Sequence, residues 1–398
     1  MNIKLISRFA VWVVAAFLYA PTLQAGWTFA MLGDTRGVRG STQTGVSTEL
    51  DAIAQKIASL NPDLVLVAGD LVNGNDVPSN STLQDYALQY THWKTAMQPV
   101  FDYTTGTGIP IYPVRGNHDN NSGEGAPIAE LKQAYFDAFS AYVPANGPND
   151  ANSGGSQMGF SYSFTHNNVS FVAADLYFYP TTNGYHSLYQ DWVTQQFQQS
   201  NSPYKIFMAH VPMFMTEGQR GPEHFFGDNL DGFQTRAKFW DALGASGVQL
   251  YLTGHVHTES VASTTNDYGD TIIQLMAGNG GAPLGTVVID PDPGVDVLYT
   301  NGQFGFSLAT VEADAMTIQY YSLNPNDNSW TVDSYATQIS PNASVPEPST
   351  AILLASGMAV LAMGRFRGRQ RNGSSIAGTF PTTNLEVAST KVWYKFRW

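Results

Sequence analysis

The segment Leu64-Val65-Leu66-Val67-Ala68-Gly69-Asp70 joins a run of five apolar residues to a glycine and a carboxylate. A short apolar run that ends at a turn residue is typical of a strand buried on both faces of a sheet. The same arrangement opens the body of the chain, where Trp27 to Leu32 is followed by Gly33-Asp34. The repetition favours a sheet that carries polar groups at its strand ends.

Helical patterns alternate with these strands. Between the first two strands, apolar Leu50, Ile53 and Ile57 recur at helical spacing, and Asn61-Pro62 ends the helix. Further strands are predicted at 109–114, 204–208 and 248–252, further helices at 81–100, 128–142 and 233–243, and a hairpin at 160–174. Alternating strands and helices indicate an α/β fold with parallel pairing.

Five predicted strands end in Asp, Asn or His, side chains of types that commonly bind metal ions. The candidates are Asp34, Asp70, Asn117, His210, His255 and His257. Functional groups of open α/β sheets gather at the carboxyl ends of strands, and these donors suit Mn, Fe, Zn or Mg. Asp70 has two oxygens and can bridge two ions. His255 and His257 share one face if their segment is extended, although a turn serves equally well.

Two four-residue blocks add specificity to this pattern. Gly116-Asn117-His118-Asp119 and Gly254-His255-Val256-His257 follow the Gly-Asp segments in this order. Together they closely resemble the calcineurin-like metallophosphoesterases, a family that includes purple acid phosphatases, and the resemblance runs from Trp27 to about Tyr321. It implies a four-layer αββα sandwich, with a dinuclear metal site at the carboxyl-terminal ends of the strands.

The resemblance also implies a role for each candidate ligand. Asp34 and His257 look like ligands of the first ion, and Asp70 looks like the bridge. Asn117, His210 and His255 look like ligands of the second ion. The cofactors would be two divalent or trivalent ions of Mn, Fe, Zn or Mg.

The implied activity is that of a metal-dependent phosphoric ester hydrolase. Phosphomonoesters or phosphodiesters of small molecules would be cleaved by metal-activated hydroxide. His118 resembles the family's catalytic histidine, which assists the leaving group, and Asp119 would orient it.

One residue departs from the family pattern. The first block of the family is commonly Asp-x-His, whereas this chain has Asp34-Thr35-Arg36. Arginine stays protonated and cannot bind a metal ion. The first ion is then weakly held, completed by water, or completed by another residue such as Asn73. Arg36 itself is either a clamp for the substrate phosphate or a surface arginine paired with a carboxylate. The departure also supports an alternative function, a non-catalytic surface or matrix protein on a phosphoesterase scaffold.

Composition excludes several other classes of protein. The chain has 398 residues, of which 43% are hydrophobic, and it has no cysteine. Disulfide frameworks and thiol catalysis are therefore excluded. The formal net charge of −13 is opposite to that of a typical nucleic-acid binder, so no nucleic-acid partner is expected.

Both ends of the chain resemble targeting signals. A basic start, a twelve-residue apolar run from Phe9 to Ala20 and a small residue at Ala25 predict a signal peptide at 1–25. An N-terminal anchor or a buried helix is the alternative. Near the other end, Val345-Pro346-Glu347-Pro348 precedes an apolar run and the arginines at 365–371, which would stay on the cytoplasmic side.

This C-terminal order resembles the PEP-CTERM sorting signal of Gram-negative bacteria, which implies an exosortase-type processing enzyme as a partner. The predicted organisation is a phosphoesterase domain at 26–323, a linker at 324–344, a sorting and membrane-anchor segment at 345–371, and a tail of unknown role at 372–398. An ordinary tail anchor is the alternative for the C-terminal segment. The predicted location is the periplasm, the outer surface or the extracellular matrix.

Overall fold

A computed structural model describes residues 26–40, 44–121, 128–150, 155–178, 188–216, 230–265 and 269–342. The chain divides into two units, 1–344 and 345–398. The predicted signal peptide, sorting segment and tail lie outside the described residues. Within the described ranges, every helix is too short or too polar to cross a bilayer.

The described strands are numbered in chain order. They are β1 (Trp27–Leu32), β2 (Leu64–Val67), β3 (Phe101–Asp102), β4 (Thr107–Gly108), β5 (Ile111–Pro113), β6 (Asn149–Asp150), β7 (Gly155–Ser156), β8 (Tyr162–His166), β9 (Val169–Ala173), β10 (Tyr204–Met208), β11 (Leu250–Thr253), β12 (Glu259–Thr265), β13 (Thr271–Ala277), β14 (Asp296–Asn301), β15 (Phe304–Val311), β16 (Met316–Asn324) and β17 (Ser329–Ile339). The α-helices are α1 (Glu49–Leu60), α2 (Tyr86–Ala96), α3 (Ala129–Phe139), α4 (Gln190–Gln198) and α5 (Leu230–Ala245).

Two mixed sheets form the centre of the fold. The first has the strand order β17-β16-β15-β1-β2-β5, and the second has the order β14-β12-β13-β11-β10-β9-β8. Strands β1, β2 and β5 are mutually parallel, as are β9, β10, β11 and β13. The carboxyl ends of each parallel set consequently meet at one edge of the sheet.

Alternate residues of each strand point to different layers. On β1, Phe29 and Met31 face the interior between the sheets, where they pack with Phe171, Ile206 and Leu250 of the second sheet. A fully buried strand buries side chains on both of its faces, as the apolar run of β1 predicts. This inner layer joins the two sheets.

The outer face of each sheet is covered by helices. Leu32 of β1 lies in one cluster with Ile53 of α1 and Trp93 of α2. On the second sheet, Phe207 of β10 lies in one cluster with Phe239 of α5. Helices on the outside of two packed sheets confirm the predicted α/β class and the four-layer αββα sandwich.

Local predictions needed two corrections. The segment 324–344, predicted to be a linker, contains β17, which pairs antiparallel with β16. Its Ser and Asn content belongs to a hairpin turn at 324–329 and to an exposed edge strand, so the sheet continues beyond the predicted domain end at 323. The predicted helix at 81–100 is a 3₁₀ turn at Thr82–Gln84 followed by α2, because the Asp85 side chain caps Ala87 N.

Candidate metal centre

The loops that follow five strands bring all six predicted ligands to one end of the sandwich. The loops after β1 and β2 are joined by hydrogen bonds from Asp34 N to Gly69 O at 2.9 Å and from Arg36 N to Asp70 O at 3.0 Å. Asp34, Asp70 and His255 have positive φ values of 55°, 53° and 75°. A non-glycine residue with positive φ is strained, and such strain concentrates at functional sites.

Glycine at position 116 allows the loop after β5 to approach the loop after β2 closely. A Cβ atom built there would collide with the Asp70 carboxylate and with Asp70 N. The glycine of the Gly-Asn-His-Asp block therefore lets the loop after β5 pass directly against the carboxylate of the loop after β2.

Four donor atoms converge on one side of Asp70, which we call the Asn117 half. Asn117 Oδ1 lies 3.1 Å from His210 Nε2 and 3.0 Å from His255 Nδ1. The two histidine nitrogens are 3.3 Å apart, and His210 Nε2 is 3.4 Å from Asp70 Oδ1. The Asn117 half thus consists of Asp70 Oδ1, Asn117, His210 and His255.

These spacings fit a metal ion. Zinc bonds of about 2.1 Å in a tetrahedral arrangement hold neighbouring ligand atoms about 3.4 Å apart. One carboxylate, one amide oxygen and two imidazoles form a donor set of the borderline type that suits Zn, Mn or Fe. The residues of the Asn117 half therefore fit a metal ion in number, chemistry and spacing. A second grouping of ligand atoms, from Asp34, Asp70 and His210, spans the two sides of the centre, and these atoms also lie within 4.8 Å of one another.

The other side of Asp70, which we call the Arg36 half, is built differently. It consists of Asp34, Arg36, Asp70 Oδ2 and His257. His257 Nε2 is 3.5 Å from Asp34 Oδ1, but it is also 3.4 Å from Nη2 of Arg36. Arg36 Nε lies 3.6 Å from Asp70 Oδ2. Arg36 is 3% exposed, so its pairing with a carboxylate is buried and not a surface contact.

Backbone carbonyls fix the proton on two of the histidine rings. His210 Nδ1 lies 2.7 Å from Ala68 O, and His257 Nδ1 lies 2.9 Å from Pro283 O. A carbonyl only accepts, so both rings carry their proton on Nδ1 and present a lone pair at Nε2. A histidine ligand is commonly oriented in this way by the hydrogen bond at its second nitrogen.

Electrostatics prepares the Asn117 half for a cation. Burial lowers the pKa of His210 to about 4, against the opposing effect of Asp70, so the ring is neutral and ready to bind a metal at neutral pH. Burial by itself raises the pKa of the Asp70 carboxyl, but the neighbouring His210, His118 and Arg36 side chains and the His118 backbone N–H bring that pKa well below its usual range. Of these neighbours, Arg36 carries a permanent positive charge. Asp70 is therefore an ionised carboxylate.

His118 lies beside the bridge carboxylate. Its backbone N–H donates to Asp70 Oδ1 at 2.8 Å, and its Nε2 is 3.9 Å from Asp70 Oδ2. The ring is oriented by the Asn73 carbonyl, which is 3.3 Å from Nδ1. Burial lowers the pKa of His118, while Asp70 raises it. The structure thus places the predicted catalytic histidine at the centre with its Nε2 available.

Asp119, predicted to orient His118, holds the loops instead. Asp119 Oδ2 accepts from Leu71 N at 3.1 Å and from Gly116 N at 2.9 Å, and Oδ1 accepts from Tyr90 Oη at 3.1 Å. Burial first, and then the negative charge of Asp70, raise the pKa of Asp119 to about 7. The carboxyl ties the loop after β2 to the loop after β5.

Sequence reasoning missed the groups that support the ligands. Backbone carbonyls of Ala68 and Pro283 carry no signal in side-chain identity, and Tyr90 lies on α2, far from any ligand motif in the sequence. Asn73, considered as a substitute ligand, donates from Nδ2 to Val38 O at 3.0 Å, and its buried Oδ1 has no hydrogen-bond partner among the described residues.

A four-layer αββα sandwich with Asp, Asn and His side chains gathered at its strand ends is the arrangement expected of a calcineurin-like phosphoesterase. The calcineurin-like phosphoesterase family model matches residues 28–259, and the chain belongs to that family. A comparison with curated protein sequences gives no match.

Solved structures share the fold. A purple acid phosphatase from yellow lupin (Lupinus luteus) seeds has a TM-score of 0.58 and 17% identity, over 80% of this chain and 54% of the phosphatase. The chain thus spans about half the length of that protein. PhoD has a TM-score of 0.54 and 14% identity, over 82% of this chain and 73% of PhoD. GAP50, the anchor in the inner membrane complex of Plasmodium, has a TM-score of 0.50 and 14% identity, over 81% of this chain and 90% of GAP50.

Proposed function

We propose that this protein is a metal-dependent phosphoric ester hydrolase that acts on phosphomonoesters or phosphodiesters of small molecules. The observation that carries the proposal is the Asn117 half, in which four donor atoms from four different loops converge at ligand spacing. Side chains that had lost a metal-binding function would not be expected to keep this arrangement. The convergence therefore weighs against a non-catalytic surface or matrix protein.

Different residues would hold the metal ion and transfer the proton during hydrolysis. Asp70, Asn117, His210 and His255 would hold an ion. Such an ion supplies Lewis-acid chemistry, since it acidifies water and neutralises phosphoryl oxygens. His118 holds its Nδ1 proton against the Asn73 carbonyl, so its Nε2 is the atom that exchanges a proton with the leaving oxygen.

Charge also favours a small anionic substrate at this end of the molecule. Arg36 is a permanently charged cation beside the proposed ion site, and it is buried rather than spread on an open basic surface. With a net charge of −13, the body of the protein would repel a long nucleic-acid backbone. A short phosphoester that reaches one cationic centre fits this distribution best.

The test is hydrolysis of p-nitrophenyl phosphate and bis-p-nitrophenyl phosphate by the purified chain. We expect turnover of at least one substrate, loss of turnover after EDTA treatment, and recovery when Mn²⁺ or Zn²⁺ is added back. The ratio of the two rates gives the preference for monoesters or diesters. Metal-loaded, folded protein that hydrolyses neither substrate would contradict the proposal and favour the scaffold function.

We also propose that the enzyme works outside the cytoplasm. The support is in the sequence alone, in the predicted signal peptide at 1–25 and the PEP-CTERM-like segment at 345–371. Fractionation of expressing Gram-negative cells checks this proposal. Cytoplasmic protein that retains residues 1–25 would contradict it.

A further inference from the structure

Arg36 lies among groups that would otherwise face a cation. Its Nη2 is 3.4 Å from His257 Nε2, and its Nε is 3.6 Å from Asp70 Oδ2. Nη1 donates to the Gly37 carbonyl at 3.2 Å. The side chain is buried, so the guanidinium is held in the Arg36 half and does not extend into solvent.

The direction of the hydrogen bonds is fixed by chemistry. The Nδ1 proton of His257 is directed at the Pro283 carbonyl, 2.9 Å away, which leaves a lone pair on Nε2. A guanidinium has only N–H donors. The contact between Arg36 and His257 is therefore an N–H group directed at the lone pair that a metal ion would need.

The charges of the Arg36 half also disfavour a metal ion there. The Arg36 half contains the carboxylates of Asp34 and Asp70, and the guanidinium already supplies them with a positive charge. A second cation placed among these groups would stand a few ångströms from a permanently protonated group in a buried environment, where like charges repel strongly. The Asn117 half is made of one carboxylate oxygen, one amide oxygen and two imidazole nitrogens at mutual distances of 3.0 to 3.4 Å, and it contains no arginine.

We propose that the Arg36 guanidinium takes the place of the first metal ion, so that the centre binds one ion through Asp70, Asn117, His210 and His255. This inference rests on the proposed function, because it concerns the same site, and it replaces the expectation of two ions. The enzyme would combine one metal cation with one organic cation around the shared Asp70 carboxylate.

The experiment counts ions in three forms of the full chain. Each protein is loaded with Mn²⁺, desalted and analysed by inductively coupled plasma mass spectrometry. We expect one Mn²⁺ in the wild type, two in Arg36→His, which removes the cation and adds a ligand, and one in Arg39→His. Arg39 is the matched control because it lies three residues away, is 67% exposed in its side chain and pairs with Asp76.

Each outcome has a separate meaning. Two ions in the wild type, or one ion in folded Arg36→His, would overturn the inference and leave the hydrolase proposal intact. No bound ion together with no hydrolysis in the wild type would contradict the proposed function itself.

A measurement on the wild type alone covers the case in which Arg36→His does not fold. Electron paramagnetic resonance of the Mn²⁺-loaded wild type should give the six-line signal of an isolated ion. The multiline signal of two coupled Mn²⁺ ions would overturn the inference.

Discussion

The two halves of the centre share the Asp70 carboxylate but differ in what faces it. In the Asn117 half, an amide oxygen and two imidazole nitrogens stand 3.0 to 3.3 Å from one another with no cation among them. In the Arg36 half, a buried guanidinium contacts both Asp70 and His257. In our proposal, the two oxygens of this carboxylate serve two different cations, one from solution and one from the chain.

One histidine of each half has the same tautomer but a different neighbour. His210 and His257 are alike, since each has its Nδ1 proton directed at a carbonyl and a lone pair at Nε2. They differ in the atom that meets the lone pair. The oxygens Asn117 Oδ1 and Asp70 Oδ1 lie 3.1 and 3.4 Å from Nε2 of His210, whereas the donor Nη2 of Arg36 lies 3.4 Å from Nε2 of His257.

The largest expected effect comes from breaking the Asn117 half. His210→Ala removes the buried imidazole whose Nε2 lies 3.1 Å from Asn117 Oδ1 and 3.4 Å from Asp70 Oδ1. We expect bound Mn²⁺ to fall from one ion to none and hydrolysis to fall to the background of the assay, because the ion supplies several kcal/mol of charge stabilisation. Elemental analysis and the two nitrophenyl substrates measure both quantities.

His166→Ala is the control for this prediction. His166 ends β8 opposite the start of β9, at the sheet edge away from the centre, and its ring packs on Trp27. It should keep one ion and its activity. Retention of metal and turnover by His210→Ala would show that the Asn117 half is not the ion site.

A smaller effect separates proton transfer from metal binding. His118→Gln removes the imidazole but keeps the backbone N–H that donates to Asp70 Oδ1. We expect the ion content to remain at one while kcat falls by about 10²–10⁴-fold, the usual contribution of a general acid or base. Steady-state kinetics on both substrates checks the prediction. An unchanged kcat would remove His118 from the catalytic machinery, and loss of the ion would make it a metal-binding residue instead.

The sequence predicted which polar side chains come together at the strand ends, because they belong to short local motifs. Gly-Asp, Gly-Asn-His-Asp and Gly-His-Val-His each stand directly after a strand, and parallel strands must bring their carboxyl ends together. The four-layer fold followed from the same alternation. These features depend on neighbours in the chain, which a single sequence displays.

The roles of Arg36 and Asp119 could not be predicted in the same way. The position of Arg36 depends on its contacts with Asp70, in the loop after β2, and with His257, more than two hundred residues away in the chain. The support that Asp119 gives to Leu71 and Gly116 depends on loop geometry. Strand β17 was missed because an edge strand buries few side chains and lacks a clear apolar pattern.

The smallest predicted effect concerns the hydrogen bond from Tyr90 to Asp119, the carboxyl that ties the loop after β2 to the loop after β5. Tyr90→Phe removes the hydroxyl that donates to Asp119 Oδ1 at 3.1 Å and leaves a buried acceptor without this partner. Such a loss costs about 1–3 kcal/mol of unfolding free energy, and urea denaturation of equally metal-loaded proteins measures it.

Tyr142→Phe is the matched control, since the Tyr142 hydroxyl donates to Tyr103 O in an exposed setting. Loss of this hydroxyl should lower the free energy of unfolding by less than about 0.5 kcal/mol. Because Asp119 keeps its bonds to Leu71 and Gly116, the ion content of Tyr90→Phe should remain at one. Equal losses of stability in the two variants would mean that Asp119 does not depend on Tyr90 to hold the two loops together.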